Sequence, residues 1–151
     1  MTELIPYKGF DDISFDMTID EVRKLLRHKD IRFNTEQWSN KGCTPEVPWE
    51  IIRAGQDISL FFAKGRMFKI YFENGFSGHL NNGISLGMKV EEAKAIDPSL
   101  QYNEWDEDYI SNYGYWLEDD IETQRIVSIT IFIREVEDDE LFFKYEWCSK
   151  K

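Results

Sequence analysis

Apolar residues recur at helical spacing in two short segments of the chain, and this pattern predicts two amphipathic helices. The first stripe consists of Ile19, Val22, Leu25 and Leu26, and the second of Val90, Ala93 and Ile96. Thr18 and Glu21 have the spacing of a capping box, which predicts a firm start for the first helix. Lys89 is a poor N-cap and Asp97-Pro98 ends the second stripe, so that helix is expected to be shorter.

Alternating or β-rich apolar segments predict antiparallel strands after each helix. They start near residues 31 and 100 and continue at 58–63, 67–72, 113–117 and 126–133, with a last strand at 141–147. Lys64-Gly65 suits a tight turn between two of them, and 118–123 is an acidic loop between two others. Residues 39–48, 74–83 and 134–140 have the composition of irregular connections.

Residues 13–25 and 84–96 share one pattern, which indicates an internal repeat. Ile13, Ser14, Met17 and Glu21 recur as Ile84, Ser85, Met88 and Glu92. We therefore expect an α+β fold of two tandem repeats, each a helix packed on an antiparallel β-sheet. Residues 1–151 would form a single domain, with repeat one at approximately 9–76 and repeat two at approximately 83–148. The shared Ser and Met residues are interpreted as structural.

The chain is strongly acidic, and the charge is uneven. Its net charge is −11, of which residues 76–151 contribute −10, since they hold 17 acidic and 7 basic side chains. Nucleic acids and anionic membranes attract basic surfaces, so both are excluded as expected partners. An acidic surface favours a basic protein partner instead, although solubility alone is an equal interpretation.

Two acidic segments that also contain aromatic residues are the candidate partner-binding site. Together they comprise Glu104, Trp105, Asp106, Glu107, Asp108, Tyr109, Glu118, Asp119, Asp120 and Glu122. Tyr and Trp provide rigid contact area, and carboxylates steer and bind Arg or Lys of a partner. The alternative is an ordinary solvated acidic face with its aromatic rings in the core.

The chain contains no recognisable catalytic or cofactor-binding motif. Phosphate-loop, dinucleotide and nucleophile-elbow patterns are missing, and the two histidines and two cysteines lack zinc-site spacing. Carboxylates are so numerous that any glycosidase-like pair is a weak signal, and Asp106-x-Asp108 only begins like a calcium loop. We therefore expect no enzyme activity, no cofactor and no metal.

The repeated opening at 13–22 and 84–93 resembles the helix-opening motif of β-lactamase-inhibitor-like repeats. That resemblance implies a helix on an antiparallel sheet, in tandem, with a role in protein binding. Those proteins are exported, whereas the N-terminus here has no apolar signal segment and no membrane span is seen. A cytoplasmic location is expected.

The small size, acidity, aromatic content and missing catalytic motifs resemble those of bacterial toxin-immunity proteins of the contact-dependent inhibition type. This resemblance implies a non-enzymatic protein that binds and neutralises a cognate, basic, nuclease-type toxin as a monomer in a 1:1 complex. Two alternatives remain: an intracellular interaction adaptor or assembly module, and an unrecognised carboxylate-dependent hydrolase. A deep cleft with convergent carboxylates of raised pKa would favour the hydrolase.

Overall fold

The computed structural model describes residues 2–73 and 75–149, which form two β-sheets and a few short helices. The strands are β1 (Thr2–Ile5), β2 (Gly9–Phe10), β3 (Ile13–Ser14), β4 (Phe33–Trp38), β5 (Trp49–Ala54), β6 (Ile58–Ala63), β7 (Arg66–Glu73), β8 (Gly78–Leu80), β9 (Gln101–Asn103), β10 (Asp108–Ile110), β11 (Tyr115–Asp119) and β12 (Ile126–Phe132). The α-helices are α1 (Ile19–His28), α2 (Val90–Ile96) and α3 (Asp139–Phe142), and 3-10 turns occupy Arg134–Glu137 and Glu146–Ser149.

The eight-stranded sheet has the order β4-β5-β6-β7-β12-β11-β10-β9, and all its neighbouring strands are antiparallel. Its centre is the pairing of β7 with β12, in which Ile70 lies opposite Ile131. The smaller sheet has the order β3-β2-β1-β8, and β1 runs parallel to β8.

The predicted α+β class, with two tandem repeats of a helix packed on a separate antiparallel sheet, is wrong. The described residues are mostly β, and their three α-helices are short. The strands after the two helices do not form two sheets, because β7 and β12 each have a free edge that the other covers. Pairing these edges satisfies their backbone N–H and C=O groups and merges all eight strands into one sheet.

Several local predictions are confirmed. Thr18 caps α1: its hydroxyl accepts a hydrogen bond from the Glu21 N–H, and the Glu21 carboxylate accepts one from the Thr18 N–H. Lys64 and Gly65, both with positive φ, form the tight turn between β6 and β7. Helix α2 is shorter than α1 and has no side-chain cap, as the sequence predicted.

The predicted last strand at 141–147 is wrong, because this segment forms α3 and a 3-10 turn. Asp138 caps α3 by accepting hydrogen bonds from the N–H groups of Glu140 and Leu141. The aromatic side chains that suggested a strand instead gather in a cluster, where Phe142 stacks on Trp147 with ring centroids 5.4 Å apart.

Two hydrophobic cores lie on opposite faces of the large sheet. The first holds the apolar residues of α1, α2 and the small sheet, including Val22, Ala93 and Leu4, which are fully buried. The second holds Phe142, Tyr145 and Trp147 against β5, β6 and β7. Within the described chain, the second core includes no residue of β9, β10 or β11. No described helix combines the length and apolar character that a membrane crossing requires.

Candidate functional site

The two acidic segments of the sequence lie in neighbouring turns at one end of the large sheet. Residues 104–107 connect β9 to β10, and residues 120–125 connect β11 to β12. Because β10 and β11 are antiparallel neighbours, both turns emerge at the same end. Segments that are separated in sequence therefore share one surface.

Short polar side chains hold both turns in shape. The side-chain oxygen Oδ1 of Asn103 accepts a hydrogen bond from the Trp105 N–H at 2.9 Å, and Glu107 adopts a left-handed φ of 53°. In the second turn the Asp120 carboxylate accepts one from the Glu122 N–H at 2.8 Å. Such local bonds are typical of Asx turns, so Asp120 has a structural role here.

A cavity of about 240 Å³ lies between the two turns. We call it the hairpin-tip cavity, and its lining residues are Tyr71, Tyr102, Asp106, Glu107, Glu118, Asp119, Ile121 and Val127. It brings together four of the predicted partner-binding residues: Asp106, Glu107, Glu118 and Asp119. Four carboxylates thus line a cavity that also has aromatic and aliphatic walls.

Asp108 is a buried carboxylate next to this cavity, with only 8% of its surface exposed. Tyr109 of β10 pairs with Leu117 of β11. Because side chains alternate along each strand, Asp108 and Glu118 lie together on the face of the sheet opposite to Tyr109 and Leu117. Burial, reinforced by the negative charges of Asp106 and Glu118, raises the pKa of Asp108 to about 6. Its Oδ1 atom has no hydrogen-bond partner among the described residues.

Glu118, in contrast, is held by hydrogen bonds. The Ser128 hydroxyl donates one to its Oε1 at 2.5 Å, and Tyr71 contributes another. Burial and the charge of Glu118 raise the pKa of Tyr71 to about 12, so its phenol stays protonated and can donate.

Lys69 interacts electrostatically with Glu118 and Asp106, but its ammonium lies among aromatic rings. The Nζ atom is 4.4 Å from the ring centroid of Phe61 and 5.4 Å from that of Trp49. Burial lowers the pKa of Lys69, and the charges of Glu118 and Asp106 oppose that shift. None of the ion pairs seen in the described chain joins Lys69 to a carboxylate within 4.0 Å.

Two large apolar side chains stand out from the same end of the sheet. Trp105 is 96% exposed and Ile121 is 81% exposed. Trp105 and Glu104 line a second hollow that shares Tyr102 with the hairpin-tip cavity. Tryptophan is enriched among the residues that contribute most to protein–protein binding, so Trp105 is the stronger of the two as a contact residue.

The remaining predicted residues lie elsewhere. Tyr109 packs against the first core and carries the Lys94 ammonium 5.2 Å from its ring centroid. Glu122 is exposed in its turn and does not line the cavity. The sequence interpretation missed Tyr71, Lys69 and Tyr102. Because side chains alternate along a strand, Lys69 and Tyr71, on either side of Ile70, could have been placed on one face of β7. Their approach to Glu118 depends on the pairing of β7 with β12.

A second polar group surrounds Asp97 and has a structural role. Burial alone would raise the pKa of Asp97, but hydrogen bonds from Ser111, Ser99 and Tyr115 hold this pKa below its usual range. Both carboxylate oxygens are engaged, with the Ser111 hydroxyl donating at 2.6 Å. Since this buried carboxylate is fully satisfied, it ties the end of α2 to the loop before β11.

No group of three or more His, Cys, Asp or Glu side chains in the described residues has metal-binding geometry. Comparison of the chain with protein-family models, with curated proteins and with solved structures finds no match.

Proposed function

We propose that this chain is a non-enzymatic immunity protein that binds and neutralises a basic, nuclease-type toxin. The observation that carries the proposal is the meeting of two acidic turns around one cavity, beside the exposed Trp105 and Ile121. It acts in the cytoplasm as a monomer that forms a 1:1 complex with its toxin.

Charge supports this proposal. The carboxylates of the hairpin-tip cavity form none of the ion pairs seen in the described chain. A nuclease binds a polyanion and therefore presents a cationic active site. An acidic cavity complements that site, and the excess charge of −10 in residues 76–151 accelerates the encounter.

The apolar residues support a protein partner over a small molecule. A surface that exposes Trp105 almost fully can gain contact area when a protein covers it. At about 240 Å³ the hairpin-tip cavity is smaller than ligand pockets of about 300–1,000 Å³. The hydrolase alternative requires a deep cleft, and Asp108, the carboxyl with raised pKa, does not line this cavity.

The test is a pull-down with tagged protein from the source organism at low and high salt, read by mass spectrometry. We expect one stoichiometric basic partner that is toxic when expressed alone and harmless when this chain is co-expressed. Several partners without toxicity would favour the adaptor alternative, and recovery of no partner would overturn the proposal.

A charge variant tests whether the hairpin-tip cavity is the surface involved. Asp106→Asn, Glu107→Gln and Asp119→Asn together remove three charges from its lining. We expect roughly tenfold slower association at low salt and a smaller effect at high salt. The matched control removes three exposed charges elsewhere, at Asp30, Glu46 and Glu91. Equal effects of the two variants would exclude a specific role for the cavity.

A further inference from the structure

The large sheet has two open edges, and β4 forms the longer one. In the part of the chain that the structure describes, β4 pairs with β5 on one side and with no strand on the other. It runs for six residues, Phe33–Trp38, whereas β9 at the opposite edge has three. An open strand edge presents unpaired backbone N–H and C=O groups, which can pair with another extended chain. The edge of β4 is therefore the larger hydrogen-bonding surface that the sheet leaves open.

The hydrogen bonds at the start of β4 show which of its residues face outward. The Gly55 N–H donates to the Arg32 carbonyl at 2.9 Å, and this is the pair directly before β4 and β5 begin to pair as strands. In an antiparallel ladder, residues whose backbone groups point toward the neighbouring strand alternate with residues whose groups point away. The N–H and C=O groups of Phe33, Thr35 and Gln37 therefore point outward. None of the backbone hydrogen bonds that other described segments form reaches these groups.

β4 lacks the features by which proteins usually protect a strand edge. Its sequence, Phe-Asn-Thr-Glu-Gln-Trp, contains no proline or lysine, and its register with β5 has no bulge. Its four central residues are exposed, and its one charged side chain, Glu36, forms an ion pair with Arg53. Arg23, which reaches this strand from α1, is paired with Asp20 and Glu50. The edge is therefore accessible and locally neutral.

The charge distribution of the chain favours a second copy at this edge. Residues 76–151 hold −10 of the net charge of −11, so residues 1–75, which include β4, hold only −1. Like-charge repulsion keeps the acidic halves of two copies apart. Two copies can therefore approach each other closely through the half of the chain that contains β4.

The sequence of β4 is also compatible with pairing to itself. A twofold axis makes two β4 strands antiparallel, and a residue on the axis faces its own copy. With Thr35 on the axis, Phe33 faces Gln37, and all three outward residues exchange both of their backbone hydrogen bonds. Asn34 then faces Glu36, an amide opposite a carboxylate, and the two threonines form a favourable cross-strand pair. Moving the axis to Glu36 would instead place two carboxylates opposite each other.

We propose that two copies of this chain pair antiparallel through β4, with Thr35 on the twofold axis, and form a dimer with one continuous sheet. This inference goes beyond the proposed function and does not depend on it. Because β4 and β9 are opposite edges of the sheet, each copy keeps its hairpin-tip cavity accessible, and the ratio of one toxin to one chain is retained. A single strand pair buries less than the roughly 1,200 Å² of a stable interface, so we expect a dissociation constant on the order of 100 µM. The dilute chain is then the monomer of the proposed function.

The test is sedimentation velocity of the full chain between about 5 µM and about 500 µM, with ¹⁵N NMR spectra over the same range. We expect the weight-average mass to rise toward twice that of the chain. The amide resonances of Phe33, Thr35 and Gln37 should move with concentration. The amides of Asn34 and Glu36, which face β5, should move less.

A charge swap on the axis tests the register. Thr35→Lys and Thr35→Glu each place like charges opposite each other, so either variant alone should dimerise roughly tenfold more weakly than the native chain. An equimolar mixture of the two should dimerise at least as well as the native chain, because opposite charges then face each other. The matched controls, Ser77→Lys and Ser77→Glu, change an exposed site outside β4 and should leave dimerisation unchanged. Retained folding of each variant is checked in the NMR spectra.

A native chain that stays monomeric at about 500 µM, or dimerisation that both Thr35 variants leave unchanged, would overturn the dimer. Failure of the mixture to restore dimerisation would overturn the register with Thr35 on the axis. The other occupant that such an edge accepts is an extended segment of the partner protein. Resonances of the outward residues that move only when toxin is added would replace the second copy with that segment.

The outcomes separate this inference from the proposed function. Absence of the dimer would leave the immunity role standing, because the hairpin-tip cavity lies away from β4. A dimer without any toxic partner would keep the β4 interface and remove the immunity role.

Discussion

Replacing Asp108 with Asn should stabilise the protein at neutral and alkaline pH. The ordinary pKa of an aspartate is 3.8, and burial with the charges of Asp106 and Glu118 raises that of Asp108 to about 6. A shift of this size corresponds to about 3 kcal/mol of stability that the folded state loses when the carboxyl ionises. A buried Asn amide has its own unmet hydrogen bonds, at about 1–2 kcal/mol. We therefore expect a net gain of about 1–2 kcal/mol at pH 8.

The sign of the pH dependence follows from proton uptake. Because the folded protein holds the Asp108 proton more tightly than the unfolded chain, the favourable contribution of Asp108 is complete below pH 3.8 and is lost as pH rises through about 6. The charged groups involved are Asp106, Glu118 and Lys69, with Tyr71 remaining protonated in this range. The stability of Asp108→Asn relative to the native chain should rise between these pH values and then level off.

The assay is urea unfolding of both proteins from pH 4 to pH 8, followed by tryptophan fluorescence, with Asp30→Asn as the control for an exposed site. Titration of the Asp108 carboxyl carbon by ¹³C NMR measures its pKa directly. A stability difference that does not change with pH, or a native chain that is more stable than Asp108→Asn at pH 8, would refute this reasoning.

Three further predictions concern the framework. Thr18→Ala removes the side-chain half of the capping box of α1 and should lower the free energy of unfolding by about 1 kcal/mol, measured by urea unfolding, whereas Thr18→Ser should retain most of the cap. Trp147→Ala empties part of the second core and removes the hydrogen bond from the indole N–H to the Phe142 carbonyl. The free energy of unfolding should therefore fall by about 3–5 kcal/mol, measured by urea unfolding, and a decrease below about 1 kcal/mol would mean that the C-terminal segment does not pack on the sheet. Burial raises the pKa of Cys148 to about 11, so in a Cys43→Ser variant its alkylation at pH 8 should be roughly 100-fold slower than that of a model thiol, and a rate near the model value would contradict this environment.

Local structure could be predicted from sequence where neighbouring residues determine it. The Thr18 cap, the apolar stripe of α1 and the Lys64-Gly65 turn depend on residues within a few positions of one another. The number of sheets could not be predicted in this way. It depends on whether the free edges of β7 and β12 pair with each other, and the sequence of neither strand identifies the other as its partner.

The C-terminal segment shows how tertiary packing can override strand propensity. Residues 141–147 are rich in aromatic side chains, which favours a strand on composition alone. Asp138 starts a helical turn, and Tyr145 takes a left-handed φ of 56°. Phe142 and Trp147 then stack in the second core, on the face of the large sheet opposite to α1 and α2. The gain from burying these rings decides the conformation.

The candidate site was predicted in part. Charge and composition identified both acidic turns, and the antiparallel pairing of β10 with β11 brings them together. The burial of Asp108 and the contribution of Tyr71 from β7 come from tertiary structure, which charge counting cannot supply.

The pairing of β7 with β12 also makes the timing of synthesis important for this protein. Glu73 pairs with Ser128, so β7 emerges from the ribosome well before the strand that covers its edge. During that interval the nascent chain presents an open strand to any other extended polypeptide, including its own copies. A chain truncated in the connection after β8 would keep this edge exposed permanently, and we expect it to self-associate. For the full-length chain, we expect a chaperone to protect the edge until β12 has been synthesised.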